Sequence, residues 1–157
     1  MQPFFITSTG TNIGKTLVTT ALVWQLRQAG KMVTALKPVI SGYDPNDAQS
    51  DSALILQSYG LTPAHDLAAS ISPWRYTIPL APNMAAAKEG KPVEFEKLVA
   101  FCREHMALAS DIVLVEGVGG VMVPLDNAHT VLDWMVALGW PVILVGGVPI
   151  SARSAIR

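Results

Sequence analysis

Cysteine is almost absent from this chain. The single Cys102 among 157 residues excludes an internal disulfide framework and suits a reducing compartment. Long apolar runs are missing too: stretches such as Pro141–Val145 fall far short of the ~20 residues that span a bilayer. Neither sign of charge is in surplus. A formal net charge of −1 leaves no broad basic surface for nucleic acid. The N-terminus enters a strand-like run almost at once, which leaves no room for a signal peptide. These absences point to a cytoplasmic chain with no membrane or nucleic-acid partner. What is present is apolar. Hydrophobic residues make up 50% and charged residues 15%, the balance of one globular domain with a real core.

Strand-like and helix-like patterns alternate along the chain. Phe4–Thr7, Met32–Leu36, Asp111–Val115 and Val142–Val145 read as strands. Thr16–Gln28, Asp51–Tyr59, Glu94–Ala109 and Val131–Leu138 read as helices. Phe95, Leu98, Val99, Cys102 and Met106 recur at helical spacing and predict one buried stripe. Thr62–Pro82 holds four prolines and reads as loop or short irregular pieces. Such alternation predicts an α/β fold in three layers around a mostly parallel sheet. Ligands of such sheets sit at the carboxyl ends of the strands. Polar and glycine-rich segments follow each strand there: Ser8–Thr16, Lys37–Gly42, Glu116–Gly120 and Gly146-Gly147.

Thr11-Asn12-Ile13-Gly14-Lys15-Thr16 is the most informative of these segments. A strand, a tight loop, Gly-Lys-Thr and a helix form the layout of a phosphate-binding P-loop. Glycine lets backbone N–H groups close on an anion, and the helix adds the positive end of its dipole. Lys15 then reaches the outer phosphates and the Thr16 hydroxyl binds magnesium. The spacing departs from the strict pattern, which wants glycine where Thr9 stands; Gly10 comes one residue late.

Three further residues are candidates for the same edge. Lys37, held extended by Pro38, either projects its amine over the sheet or lies solvated on the surface. Asp51 either caps its helix or binds metal. Glu116, directly after a buried strand, needs a cation or donors, so it is a magnesium ligand or half of a buried ion pair. Two amines, two carboxylates and loop amides suit phosphoryl transfer, which depends on charge neutralisation and in-line positioning.

In that order, Thr11–Thr16, Lys37-Pro38-Val39-Ile40-Ser41-Gly42, Ser50-Asp51-Ser52-Ala53-Leu54 and Val115-Glu116-Gly117-Val118-Gly119-Gly120 resemble the ATP-dependent dethiobiotin synthetase family over roughly residues 1–147. Pro82, Glu89-Gly90 and Pro124-Leu125 fit its pattern as well. The resemblance implies a P-loop NTPase-type fold and the conversion of 7,8-diaminopelargonate, CO2 and ATP to dethiobiotin, ADP and phosphate. It implies nucleotide contacts from Asn12, Ile13, Gly14, Lys15, Thr16, Leu17, Asp51, Glu116, Gly117, Val118 and Gly119. Magnesium would be held by Thr16, Asp51 and Glu116. Lys37, Lys15 and Thr11 would be catalytic, and Ser41, Thr11 and Lys37 would contact the substrate. A homodimer is implied, with the substrate's carboxylate tail near the subunit interface. Asn12 and Asn83 stand where the family often has an acidic residue and a histidine.

The last stretch, Val148–Arg157, departs from the family pattern. Codons exist for Gly147 onward that give a family-like continuation in another frame. The expectation is therefore an incomplete ligase domain over 1–147 and an aberrant, frameshifted tail over 148–157, with poor solubility and little activity. Alternatives are an inactive phosphate-binding fragment, an amidoligase, and a switch ATPase of the partition type. The last carries a second lysine where this chain has Gly10.

Overall fold

The computed structural model describes residues 1–106 and 110–147. The expectations about the tail, 148–157, and about the helix end at 107–109 fall outside the described residues. Twelve elements follow in chain order: β1 (Gln2–Ser8), α1 (Lys15–Gln28), β2 (Val33–Leu36), β3 (Val39–Ser41), α2 (Asp51–Ser58), α3 (His65–Ile71), β4 (Trp74–Tyr76), α4 (Pro82–Glu89), α5 (Phe95–Met106), β5 (Ile112–Glu116), α6 (Val131–Leu138) and β6 (Val142–Val145).

Four strands form a parallel sheet in the order β2-β5-β1-β6. Side chains alternate across it, as the period of a strand requires. Phe5, Leu36, Val113 and Val115 enter one core beneath α4, α5 and α6, while Ile6, Ala35 and Leu114 enter a second core with Val23 of α1 and Ile55 of α2. The three-layer α/β reading therefore holds. Trp134 is fully buried and meets Phe5 edge-to-face at 4.8 Å, tying α6 to the central strand. Cys102 is buried in the same core, where burial pushes its thiol up to about 12. Tyr59 closes the free edge of β2: its phenol accepts from Ala35 N at 2.6 Å and donates to Val33 O at 3.1 Å.

Two expectations need correction. The proline-rich stretch 62–82 is not all loop. It contains α3 and β4, and Pro82 opens α4, where its fixed φ and missing N–H suit the first helical turn. The short β3 was also missed; it pairs in parallel with β4 as a second, two-stranded sheet. Lys37 N donates to Ile71 O and Trp74 N to Pro38 O, so this small sheet hangs from the end of β2. Among the described residues, β6 is covered on one face only. Ile143 and Val145 pack on the second core, but Val142 and Leu144 are exposed. Among the described residues, no helix is long and apolar enough to cross a membrane.

Because Phe5 stands in the middle strand and carries the Trp134 contact, Phe5→Ala is expected to destabilise the fold by about 3–5 kcal/mol. Chemical denaturation followed by tryptophan fluorescence measures it.

Candidate active site at the carboxyl edge of the sheet

Parallel pairing aligns the strand ends. Ile6 lies opposite Glu116, Leu36 opposite Val115 and Ser8 opposite Val145, so the segments after β1, β2, β5 and β6 leave the same edge. The loop after β1 turns tightly. Asn12 takes φ 57° and Gly14 φ 103°, both left-handed, and α1 starts at Lys15. Asparagine tolerates that region better than most side chains, which suits Asn12 to its place. Lys15 folds back over the loop, donating to Gly119 O at 2.7 Å, Ser8 Oγ at 3.0 Å and Gly10 O at 3.4 Å. Burial, with the Lys37 ammonium adding to it, pulls the Lys15 ammonium below its ordinary value.

Four residues from four segments meet beside it. Glu116, with no solvent exposure, ends β5. Lys37, only 2% exposed, donates to Glu116 Oε1 at 2.7 Å, Asp51 Oδ2 at 3.0 Å and Gly117 O at 2.8 Å. Its three N–H donors are thereby all engaged. The surface-lysine reading of Lys37 is excluded, and the buried-pair reading of Glu116 describes this arrangement. Asp51 does not cap α2. It is that helix's first residue, and its carboxylate turns to Thr16 and Lys37. Burial opposes charge on both partners. The two carboxylates nevertheless raise Lys37, and the Lys37 ammonium together with the Thr16 hydroxyl lowers Asp51.

Thr16 Oγ1 lies 2.8 Å from Asp51 Oδ1 and 2.7 Å from Glu116 Oε1. A hydroxyl has one proton, so one of these oxygen–oxygen contacts has no hydrogen in it. Three hard oxygens converging in this way fit a small divalent cation, which needs few protein ligands when phosphate and water supply the rest.

A cavity of about 740 Å³ opens over these groups. It brings together Thr11, Asn12, Gly14, Lys15, Thr16, Lys37, Ser41, Asp51, Glu116, Val118 and Gly119 of the expected site residues. Ile13, Gly117 and Leu17 do not line it, and Leu17 is 73% exposed. The fourth segment stands apart from the cavity, with Gly147 against Ile13. Close packing explains the glycines after β5. A Cβ on Gly120 would meet Gly10 N at 3.2 Å, and one on Gly119 would meet Val123 Cγ2 at 2.6 Å. The opposite wall, Pro79–Pro82, is tied down by Glu89, whose carboxylate accepts from Ile78 N at 3.0 Å and Thr77 Oγ1 at 2.9 Å. Ser41 Oγ is buried without a hydrogen-bond partner among the described residues.

Two residues escaped the sequence reading. Ser8 receives Lys15, and Thr19 donates to Glu116 Oε2 at 2.7 Å. Ser8 belongs to the loop segment itself, seven residues before Lys15, whereas the partner of Thr19 lies 97 residues away and no local pattern marks it.

A family model described as an AAA domain matches residues 2–152. Among curated relatives, the ATP-dependent dethiobiotin synthetase BioD of Acidiphilium cryptum is 48% identical over 149 residues, covering 94% of this chain and 67% of the relative. The protein of the same name from Methylobacterium nodulans is 44% identical over 160 residues, covering 98% of this chain and 71% of the relative. That of Caulobacter vibrioides is 44% identical over 157 residues, with 98% and 70% covered. Fold, loop and relatives together define a P-loop nucleotide-binding enzyme of the ATP-dependent ligase class. Within that class, the chain belongs to the ATP-dependent dethiobiotin synthetase family of biotin biosynthesis.

The paired charges predict a pH signature. The lowered Asp51 contributes stability that is present above its unfolded value, ~3.9, and is lost as pH falls through the lower folded value. The raised Lys37 contributes stability that is present below ~10.4 and is lost as pH rises through its folded value. Asp51→Asn is expected to flatten the acid limb of the denaturation-midpoint profile and leave the alkaline limb steep. Urea midpoints across the pH range check this.

Proposed function

We propose that this chain closes the ureido ring of dethiobiotin from 7,8-diaminopelargonate, CO2 and ATP. An amine of the substrate attacks CO2 and loses a proton, which leaves a carbamate. A carbamate oxygen attacks the γ-phosphorus as the bond to the β,γ-bridging oxygen breaks and ADP departs. The second amine then attacks the carbonyl carbon of the mixed anhydride and loses a proton, phosphate leaves, and the ring closes.

Each residue has a role in this scheme. The loop amides from Asn12 to Leu17 and the Lys15 ammonium hold the phosphates, with Val118 and Gly119 completing the nucleotide wall and Gly117 acting behind it through its carbonyl on Lys37. Lys37 gives up one of its three present partners to meet the carbamate and the transferring phosphoryl group. Thr11 and Ser41 orient the diamine, and Thr11 stands beside the reacting atoms as a catalytic contact. Thr16, Asp51 and Glu116 would hold magnesium, which when bound neutralises phosphate charge. The active unit is a homodimer in the cytoplasm, and residues 1–147 are an incomplete ligase domain.

One observation carries the reading. The unpartnered Ser41 hydroxyl and the Lys37 ammonium share one cavity with the phosphate loop. ATP hydrolysis alone asks for no buried hydroxyl on that far wall. A substrate with hydrogen-bonding nitrogen beside the γ-phosphate does.

The test is incorporation of labelled bicarbonate into dethiobiotin. It is run on this chain alone and on this chain extended by the C-terminal third of the Acidiphilium relative, of which it spans 67%. Dethiobiotin is expected from the extended chain; ATP hydrolysis without it, from that extended form, overturns the reading in favour of a switch ATPase. In the active form, Lys37→Ala is expected to lower kcat by about 10²–10³, because one preorganised charge contact is lost. A turnover near the parental value removes Lys37 from catalysis. Asp51→Asn and Glu116→Gln are each expected to raise the magnesium concentration for half-maximal rate, and unchanged values in both show the metal placed wrongly.

A further inference from the structure

Thr19 has no solvent exposure and no assigned part in nucleotide or substrate binding. It lies on α1, four residues after Lys15 and three after Thr16, so helical spacing puts all three on one face. Its hydroxyl is 3.0 Å from Lys15 O and 2.7 Å from Glu116 Oε2. The contact with the carbonyl one turn back marks the rotamer a β-branched residue adopts in a helix when its oxygen faces the backbone. The helix itself therefore aims the hydroxyl. With one proton to give, it gives it to the charged carboxylate.

The two oxygens of Glu116 are served unequally. Lys37 and Thr16 both meet Oε1, whereas among the described residues Oε2 has Thr19 alone. We propose that Thr19 is a positioning residue of the divalent-cation site: it anchors Glu116 Oε2 and so keeps Oε1 turned toward Thr16 and Asp51. Remove the hydroxyl and Oε2 is buried without a donor, at the cost such a group carries. The carboxylate then rotates to share Lys37 and Thr16, and the three-oxygen convergence is lost. This inference rests on the cation site proposed above.

Manganese(II) alone, titrated into the nucleotide-free chain and followed by the paramagnetic resonance signal of the free ion, tests it without any turnover. T19V keeps the shape and removes the hydroxyl; it is expected to weaken manganese binding about 10- to 100-fold, the usual effect of losing a group that orients a ligand. T19S is expected to restore it. T19A, which removes the hydroxyl without putting a methyl group against the carboxylate, is expected to repeat the loss and stands in if T19V does not fold. A melt on each variant separates the alternative: a role confined to satisfying a buried carboxylate lowers Tm and leaves manganese affinity unmoved. E116Q separates the two proposals. If the parent binds manganese and E116Q does not, while T19V and T19A bind like the parent, the role of Thr19 is overturned and the site stands. If the parent does not bind, or E116Q binds equally well, both fall.

Discussion

A carboxylate with no exposure at the end of a central strand demands cations and donors, and the groups that answer Glu116 organise the site. Lys37 arrives from the end of β2, Thr16 and Thr19 from α1, and Gly117 supplies a carbonyl that keeps Lys37 in place. Desolvating a charge this completely costs several kcal/mol unless the partners are excellent. Here they are short, numerous and drawn from separate segments. Asp51 joins through Lys37 and Thr16, which links α2 to the same group. One ammonium faces two carboxylates here, so the cluster keeps a surplus of negative charge at close range beside the phosphate loop.

Lys15 lies on backbone carbonyls and Lys37 has no free N–H. Anionic phosphate oxygens are better acceptors than the carbonyls that hold Lys15 and compete for its amine. The shift needs only rotation of the Lys15 side chain within a preformed cavity. Its walls are held independently, Pro79–Pro82 by Glu89 and the loop after β5 by its packing against Gly10. Preorganisation of that kind is where phosphoryl transfer finds most of its rate.

Much of this was legible beforehand. Thr11–Thr16 announced the loop because phosphate binding needs glycine and Lys-Thr at close spacing, and the alternation of apolar strands with helices announced the parallel sheet. Asp51 and Glu116 were visible as candidates, since a carboxylate after a buried strand is costly. The stretch 62–82 was misread because its four prolines outweighed weaker signals. Pro82 at a helix start and Gly90, at φ 65°, after its end are ordinary boundary residues of α4 and were there to be seen. Thr19 was beyond reach: a threonine within a helix looks like any other, and its partner lies 97 residues away.

The sequence by itself determined the layers, the phosphate loop and the residues able to hold charge, because period, turn chemistry and residue type are local properties. Which charge meets which was decided by tertiary structure alone. Lys37 could have been solvated and Asp51 could have capped its helix. The register of β2 on β5 and the placement of α2 beside α1 brought both to Glu116 instead. Coulomb energy and desolvation depend on distances of a few ångströms, and those distances exist only once the strands have paired.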